Sequence, residues 1–588
     1  MTLAPLDWII IIAYLILAFS IGIFYKKQAS KSLSDFFLGG RNLPWYIAGI
    51  SMVATTFAAD TPLLVTELIA QNGVSGNWLW WNMLIGGMLT TFFFAKLWRR
   101  AEVVTELEFV ELRYSGKAAA FLRGFKSVYM GLFLNVIVIG WVNVALASIL
   151  KVFFDIPDET VIWVIAGAMV FVAIYSSLSG LMGVAMTDFV QFFIAMTGCI
   201  ILAIVVLNTE KVGGISGLKE QLPAWRFNFF PTINSGSVVN DIGTFSVTVA
   251  AFLTFGLVQW WASWYPGAEP GGGGYIAQRM MSAKDEKNAI YATLFFQVAH
   301  YCLRPWPWII VGLCALVLYP ELPIEDAGQG FVMAMKDHLP TGLKGLLLVA
   351  FLSAYMSTIS TQLNWGASYL TNDLYKRFIK PKRENETMEA EQKDYVQKAR
   401  IFTVLIMLLA LFATTQISSI DAAAKFLIEC GAGLGMVLIL RWYWWRINAW
   451  SEIVASIAPF VGYILANYVI ELENPFNFLF TVGFSTACWL IATFITPQTD
   501  EERLIRFYER VKPDGGWKKY RNPNESKSKL APLFISWISS IVMVYCILFG
   551  IGDFIFQNYE HAGIEFILAV ISFLLLRIQM KRTRIFEI

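Results

Sequence analysis

Four hydroxyl side chains crowd a single apolar run, Ala354-Tyr355-Met356-Ser357-Thr358-Ile359-Ser360-Thr361. If the run is helical, positions 354, 357, 358 and 361 share one face, because residues three, four and seven apart stack along a helix. Ser360 follows Ser357 by three and adds another oxygen nearby. Hydroxyls and free backbone carbonyls are neutral hard donors that can replace the hydration shell of a small cation. Carbonyls come free where a helix is interrupted, and Ser51-Met52-Val53-Ala54-Thr55-Thr56-Phe57-Ala58-Ala59-Asp60-Thr61-Pro62 reads as such an interruption, offering those of Ala54 and Phe57. Asp188, set between Thr187 and Phe189 in a further apolar run, needs a partner for its charge. A cation held with Ser357, Ser360 and Thr361 would supply one. Two plainer readings stay open: hydroxyls that pack or bond back to the preceding turn, and an Asp188 hydrated near the run's end.

A second group could recognise an organic solute. It comprises Asp60, Thr61, Glu67, Asn77, Trp78, Trp81, Trp141, Asn143, Gln259, Gln297, His300, Arg304 and Glu429. Acids and amides hold hydroxyls or amines, and Trp faces suit a sugar ring or a quaternary ammonium, the latter by cation–π attraction worth up to about 2 kcal/mol when desolvated. The plain reading of Trp78, Trp80 and Trp81 is an interfacial belt, and Arg304 with Glu429 would also serve as a structural ion pair.

The elements that position these residues are membrane helices. Of 588 residues, 57% are hydrophobic and 15% charged, against about 25% charged in ordinary soluble domains, and mean hydropathy is +0.58. Many apolar runs approach the roughly 20 residues that cross a hydrocarbon core of about 30 Å. They suggest about fifteen helices, near residues 7–25, 44–70, 76–98, 125–153, 160–180, 183–207, 242–265, 286–318, 343–373, 397–416, 421–444, 449–470, 476–496, 531–552 and 561–578. Lys and Arg accumulate in alternate connections, such as Lys26, Lys27, Lys31 and Arg41, then Arg99, Arg100, Arg113 and Arg123, and later Lys376, Arg377 and the tail Lys581, Arg582 and Arg584. That asymmetry places the N-terminus outside and the C-terminus inside. The stretch 383–400, rich in Glu and Lys, reads as a solvated helix or linker. The first run follows Asp7 with no basic residue before it and reads as a retained helix, not a signal peptide. The net charge of +2, without a basic patch, makes nucleic acid a poor partner. The six cysteines all lie in apolar runs without paired spacing and read as packing residues.

Backbone polar groups in lipid need internal partners, so a helix interrupted at membrane depth must be buried in protein or line a cavity. The second run breaks at Thr55 to Pro62. The seventh ends in Trp264-Tyr265-Pro266-Gly267-Ala268-Glu269-Pro270 and four glycines, Gly271 to Gly274. Breaks in corresponding helices of two successive five-helix units point to an inverted-repeat transporter with its sites at the unwound segments. The glycine cluster lacks the preceding strand and the Lys-Ser or Lys-Thr of a phosphate loop.

At these residues the chain resembles the sodium:solute symporter family, over roughly residues 35–445. The resemblance rests on Phe36-Phe37-Leu38-Gly39-Gly40-Arg41, on Tyr175-Ser176-Ser177-Leu178-Ser179-Gly180-Leu181 leading to Thr187-Asp188 and Gln191, on Gln278-Arg279 with Ala283-Lys284, and on Ser357-Thr358 leading through Asn364 to Asp373-Leu374-Tyr375-Lys376. It implies an all-α, leucine-transporter-like 5+5 inverted repeat with one extra N-terminal and about four extra C-terminal helices. The units would be an extra helix in 1–43, a first repeat in 44–207, an outer loop in 208–241, a second repeat in 242–446 and C-terminal helices in 447–588. It also implies one sodium among Ala54, Phe57, Ala354, Ser357 and Thr358, and a second among Asp188, Ser357, Ser360 and Thr361.

The segment Tyr265 to Gly274 is longer and richer in Pro and Gly than the family's usual seventh span, so substrate contacts do not transfer there. Asp60 and Thr61 stand where sugar carriers of the family often have Glu and Gln. The expectation is sodium-coupled import of a small polar solute, sugar-like first, with an amino acid, carboxylate or quaternary amine as the alternative. A channel would show a repeated filter or charged rings, and none recurs. An enzyme would show a catalytic cluster, whereas His300, His338 and His561 are scattered. A sensor module is the remaining alternative. The expected partners are sodium, the solute and the lipid bilayer.

Overall fold

The computed structural model describes residues 3–234, 246–248, 252–265, 267–380, 387–417, 431–473, 475–521 and 530–582. Most of them are helical. Among the described residues one strand pair occurs, a parallel ladder of Thr232–Asn234 with Ser246–Thr248 in the long connection after the sixth span.

Ten helices among the described residues are long and apolar enough to cross a membrane. The difference from about fifteen has physical causes. The fifth and sixth spans run together as Asp158–Leu207, kinked at Gly180. There φ is 57°, and a Cβ would come 2.5 Å from the Phe36 carbonyl oxygen, so only glycine fits. Other expected spans appear in pieces. The second is Trp45–Thr55 and then Thr61–Asn72, which starts with Pro62 in its first turn, where a missing N–H costs nothing. The third is divided into Trp78–Trp81, Leu84–Leu89, a wide turn Thr90–Phe94, and Ala95–Ala101. The seventh is a wide turn Thr254–Gln259 with Trp260–Ala262, an irregular stretch, then Gly274–Ser282. The eleventh is described only from residue 431 onward, and Glu429 lies outside the described residues.

The ninth span, Leu343–Ser368, is the axis of the molecule, and almost every residue from Ser353 to Ser368 is buried. Its N-terminus has no capping side chain of its own. Asp7 of the first helix does that work: its Oδ1 accepts the amides of Gly342 at 2.7 Å and Gly345 at 2.8 Å. A carboxylate is favoured there by the orphan N–H groups and the helix dipole. Gly345 admits it closely, since a Cβ would lie 2.5 Å from the Asp7 Cα.

Outward faces of the peripheral helices carry exposed Ile9, Phe24, Phe412, Ile495 and Ile567, as lipid-facing surfaces must. At the end assigned to the cytoplasm by loop charge, ions are buried. Arg123 pairs with Asp373 at 2.7 Å and with Glu111 at 2.7 Å. Arg441 spans Glu106 at 3.0 Å and Glu452 at 3.1 Å, and Lys126 also pairs with Glu452. Arg113 donates to the carbonyls of Arg441, Trp444, Trp445 and Ile447. Arg113 and Arg123, read in the sequence as loop charges, are therefore interior struts. The 388–400 stretch continues directly into the tenth span as one helix, Met388–Thr414.

Candidate functional site

The breaks of the second and seventh spans meet the ninth span in the middle of the protein. Thr358 donates from Oγ1 to the Thr55 carbonyl at 3.0 Å and to that of Ala354 at 3.2 Å. The Ala54 carbonyl accepts the Phe57 amide at 3.0 Å across the broken turn. Ala354, Ser357 and Thr358 thus stand against the Ala54–Phe57 break, and Ala54, Phe57, Ala354, Ser357 and Thr358 are all buried. Thr358 is the member of the first set bonded across the break, and the Ala54 carbonyl is held within its own turn.

Of the second set, Ser357 meets Asp188 directly and Thr361 is joined to them through Arg279, a residue outside the expected set. Asp188 is buried and accepts Ser357 Oγ at 2.7 Å on Oδ1 and Ser51 Oγ at 2.5 Å on Oδ2. Its charge partner is Arg279, whose Nη2 lies 3.5 Å from Oδ2. The same guanidinium donates to Thr361 Oγ1 at 2.6 Å, Thr55 Oγ1 at 3.2 Å and Ser51 Oγ at 3.0 Å. Ser360 turns to its own helix, donating to the Ser357 carbonyl at 3.1 Å. The cost of an unpaired intramembrane carboxylate is here met by an arginine. Arg279 belongs to the Gln278-Arg279 pair, and Gln278 donates to the Phe37 carbonyl and to Asn364 Oδ1, both at 2.9 Å. Four stretches far apart in sequence are tied together at this point.

Beside the ion sets lies a cavity of about 160 Å³. Among the solute candidates it is lined by Asp60, Thr61, Trp141, Gln297, His300 and Arg304, together with Trp80, Tyr265, Tyr275 and Gln362. Three polar atoms on its wall have no partner among the described residues: Asp60 Oδ1, Gln362 Oε1 and Arg304 Nε. The other nitrogens of Arg304 cap the broken second span, donating to the Val53 carbonyl at 3.1 Å and the Thr56 carbonyl at 2.8 Å. Arg304 therefore belongs to the break, and its pairing with Glu429 considered from sequence lies outside the described residues. Gln297 fits because position 87 is glycine, where a Cβ would lie 2.2 Å from its Oε1.

The remaining candidates sit elsewhere. Asn77 is buried in its own turn, donating to Val74 O and accepting Trp80 Nε1. Trp78 donates to Phe229 O and packs on Tyr545 and Phe549, and Trp81 is buried against Trp78 and Phe549. Glu67 accepts from Gln71 one turn on. Gln259 is buried but absent from the cavity wall, and Asn143 links Thr414 and Tyr355. Tyr265, Tyr275 and Gln362 are not among the solute candidates read from sequence, and Trp80 is read there as interfacial. Gln362 follows Thr361 directly and Tyr275 follows the four glycines, which is the signal that could have found both.

The sequence profile of the Sodium:solute symporter family matches residues 36–458. The sodium/glucose cotransporter of Vibrio parahaemolyticus is 22% identical over 530 residues, covering 85% of this chain and 92% of that protein. The sodium/sialic acid symporter SiaT of Proteus mirabilis is 24% identical, covering 84% and 94%. The osmoregulated proline transporter OpuE of Bacillus subtilis is 22% identical, covering 74% and 83%. A solved structure of a Na+-coupled sialic acid symporter in a substrate-bound outward-open state superposes with a TM-score of 0.65 at 18% identity, covering 84% of this chain and 99% of that one. The chain shares that fold.

Proposed function

The chain belongs to the sodium:solute symporter family, and from that premise we propose that it is a plasma-membrane carrier importing a small polar solute by alternating access within an inverted 5+5 repeat, driven by sodium held between Ala54, Phe57, Ala354, Ser357 and Thr358. Relatives with named solutes carry a sugar, sialic acid or proline, so the solute is read from this chain's own cavity. The observation that carries the reading is the convergence of two unpartnered acceptors and one unpartnered donor on one aromatic-walled cavity. Buried polar atoms left unpaired cost about 1–3 kcal/mol each, and a solute rich in hydroxyls, which both donate and accept, relieves all three. A sugar or sugar-like polyol is the first choice. An amine is the second, because Asp60 shares its wall with Trp141 and Tyr265, whose rings stack with centroids 6.4 Å apart.

The ion count follows from Arg279. Its guanidinium already neutralises Asp188 and fills Thr361's hydrogen bond, so a second sodium at Asp188, Ser357, Ser360 and Thr361 requires Arg279 to withdraw. With Arg279 in place we infer one sodium per solute.

A thermal-shift screen of sugars, polyols, amino acids and quaternary amines, run with and without sodium, identifies the solute. Uptake of that compound into proteoliposomes then tests the proposal. Sodium-dependent accumulation is the expected result, and accumulation indifferent to sodium rejects it.

A further inference from the structure

The irregular stretch of the seventh span contains a carboxylate that neither the ion sets nor the cavity uses. Glu269 is 3% exposed. One oxygen, Oε2, accepts the Gly267 amide at 3.1 Å, and the other, Oε1, has no hydrogen-bond partner among the described residues. It lies against Gly274 and Trp365: a Cβ built on Gly274 would stand 2.7 Å from Oε1 and 3.5 Å from the Trp365 ring. The backbone that wraps it holds Gly267, Gly271, Gly272 and Gly274 at positive φ.

A second carboxylate flanks the same backbone. Glu106, from the connection after the third span, has Oε2 3.1 Å from where a Cβ of Gly273 would sit, and Glu269 has its Cβ and Cγ 3.2 Å from that point. Glu106 is fully engaged: Oε2 accepts the Gly274 amide at 2.8 Å and Tyr369 OH at 3.0 Å, and Oε1 accepts Arg441 at 3.0 Å. The ion pairs nearby join Glu106 and Glu452 to Arg441 and Lys126, and Arg113 beside them donates to backbone carbonyls. From the other elements packed here come Tyr369 and Trp365 of the ninth span, and Tyr275 approaches Gly267 from the seventh. None of these described residues is a cation. An ionised, uncompensated carboxylate with a bare oxygen is costly when buried, whereas a neutral one costs far less. A metal ion would need several oxygens around Oε1, and the described residues show no group of three or more His, Cys, Asp or Glu placed to hold one.

We propose that Glu269 is a proton-binding site: its carboxyl carries a proton in the arrangement described here and releases it to water when the 267–273 segment moves and is hydrated. The O–H bond breaks, the proton leaves to solvent and both electrons stay on Oε1. Two adjacent carboxylates, Glu269 and Glu106, then repel each other, so ionisation favours the moved arrangement and reprotonation restores the present one. The glycines are the hinge that allows the movement.

Infrared spectroscopy of the full chain in lipid bilayers tests this without any solute, by following the carbonyl stretch of protonated carboxyls as pH is raised. The difference between the native protein and Glu269→Gln should contain one protonated carboxyl at neutral pH, vanishing at alkaline pH. Glu106→Gln, which removes the like charge and strengthens the pull of Arg441, should move that titration to lower pH by about one unit. Sodium-evoked tryptophan fluorescence checks that each variant is folded. If Glu269→Gln fails to fold, the Glu106→Gln shift alone decides. Identical native and Glu269→Gln spectra at neutral pH, or a Glu106→Gln midpoint that does not move, would overturn the proposal.

Discussion

Single atoms separate the roles of neighbouring hydroxyls. Ser357 gives its hydrogen bond to Asp188 across two helices, whereas Ser360 gives its own to the backbone one turn back. Ser357→Ala should therefore raise the sodium concentration for half-maximal uptake about tenfold or more, the scale of 1.4 kcal/mol for one charge-assisted bond and one ion ligand, while Ser360→Ala changes it by less than about threefold. Sodium activation curves of the two variants decide, and equal shifts would remove Ser357 from the ion site. Asp60 poses the corresponding question for the solute. Its Oδ1 lacks a partner and it lines the cavity, so Asp60→Asn should weaken solute affinity at least tenfold for a sugar or an amine, with sodium affinity nearly unchanged. Isothermal titration with the screened solute reads this directly. Unaltered affinity would leave the cavity without its anchor.

At the scale of elements, stability resides in helix ends as much as in helix bodies. The ninth span, which bears all four hydroxyls, begins at a carboxylate borrowed from the first helix. Asp7→Ala strands two amides in the interior and should destabilise the protein by about 1–3 kcal/mol, seen as a lower unfolding midpoint in detergent. Asp7→Asn should lose less, because its amide oxygen still accepts while the charge that favours a helix N-terminus is gone. An unchanged midpoint in Asp7→Ala would show that water reaches this end of the helix. The broken second span is stabilised differently, by Arg304 on the carbonyls of Val53 and Thr56. An interrupted helix is tolerated where such a donor replaces the missing turn.

The whole molecule converts ion gradients into accumulation, and the coupling ratio sets the scale. Each sodium falling through about 100 mV and a tenfold gradient provides roughly 2.3 plus 1.4 kcal/mol, so one ion supports about 500-fold accumulation of a neutral solute and two about 10⁵-fold. With Arg279 on Asp188, flux ratios in proteoliposomes should return one sodium per solute. A ratio of two would mean that the guanidinium leaves Thr361 and Ser51 during the cycle. Membrane residence, the helical class and the two breaks were legible in the sequence, because hydrophobic runs, interrupted runs and hydroxyl spacing are local patterns that lipid enforces residue by residue. The Ser357, Thr358 and Asp188 cluster could be read for the same reason, each polar group being conspicuous in an apolar run. Which residue neutralised Asp188 could not be read so. Arg279 lies 91 positions away, and only the fold of the seventh span against the second and sixth brings it there. The tryptophans teach the same lesson: Trp78, Trp80 and Trp81 are equivalent in composition, yet rotation of one short helix packs Trp78 and Trp81 against the helix Leu530–Ile555 and leaves Trp80 on the cavity wall. Local sequence specifies which groups are costly to leave in lipid, and tertiary packing chooses the partner that removes each cost.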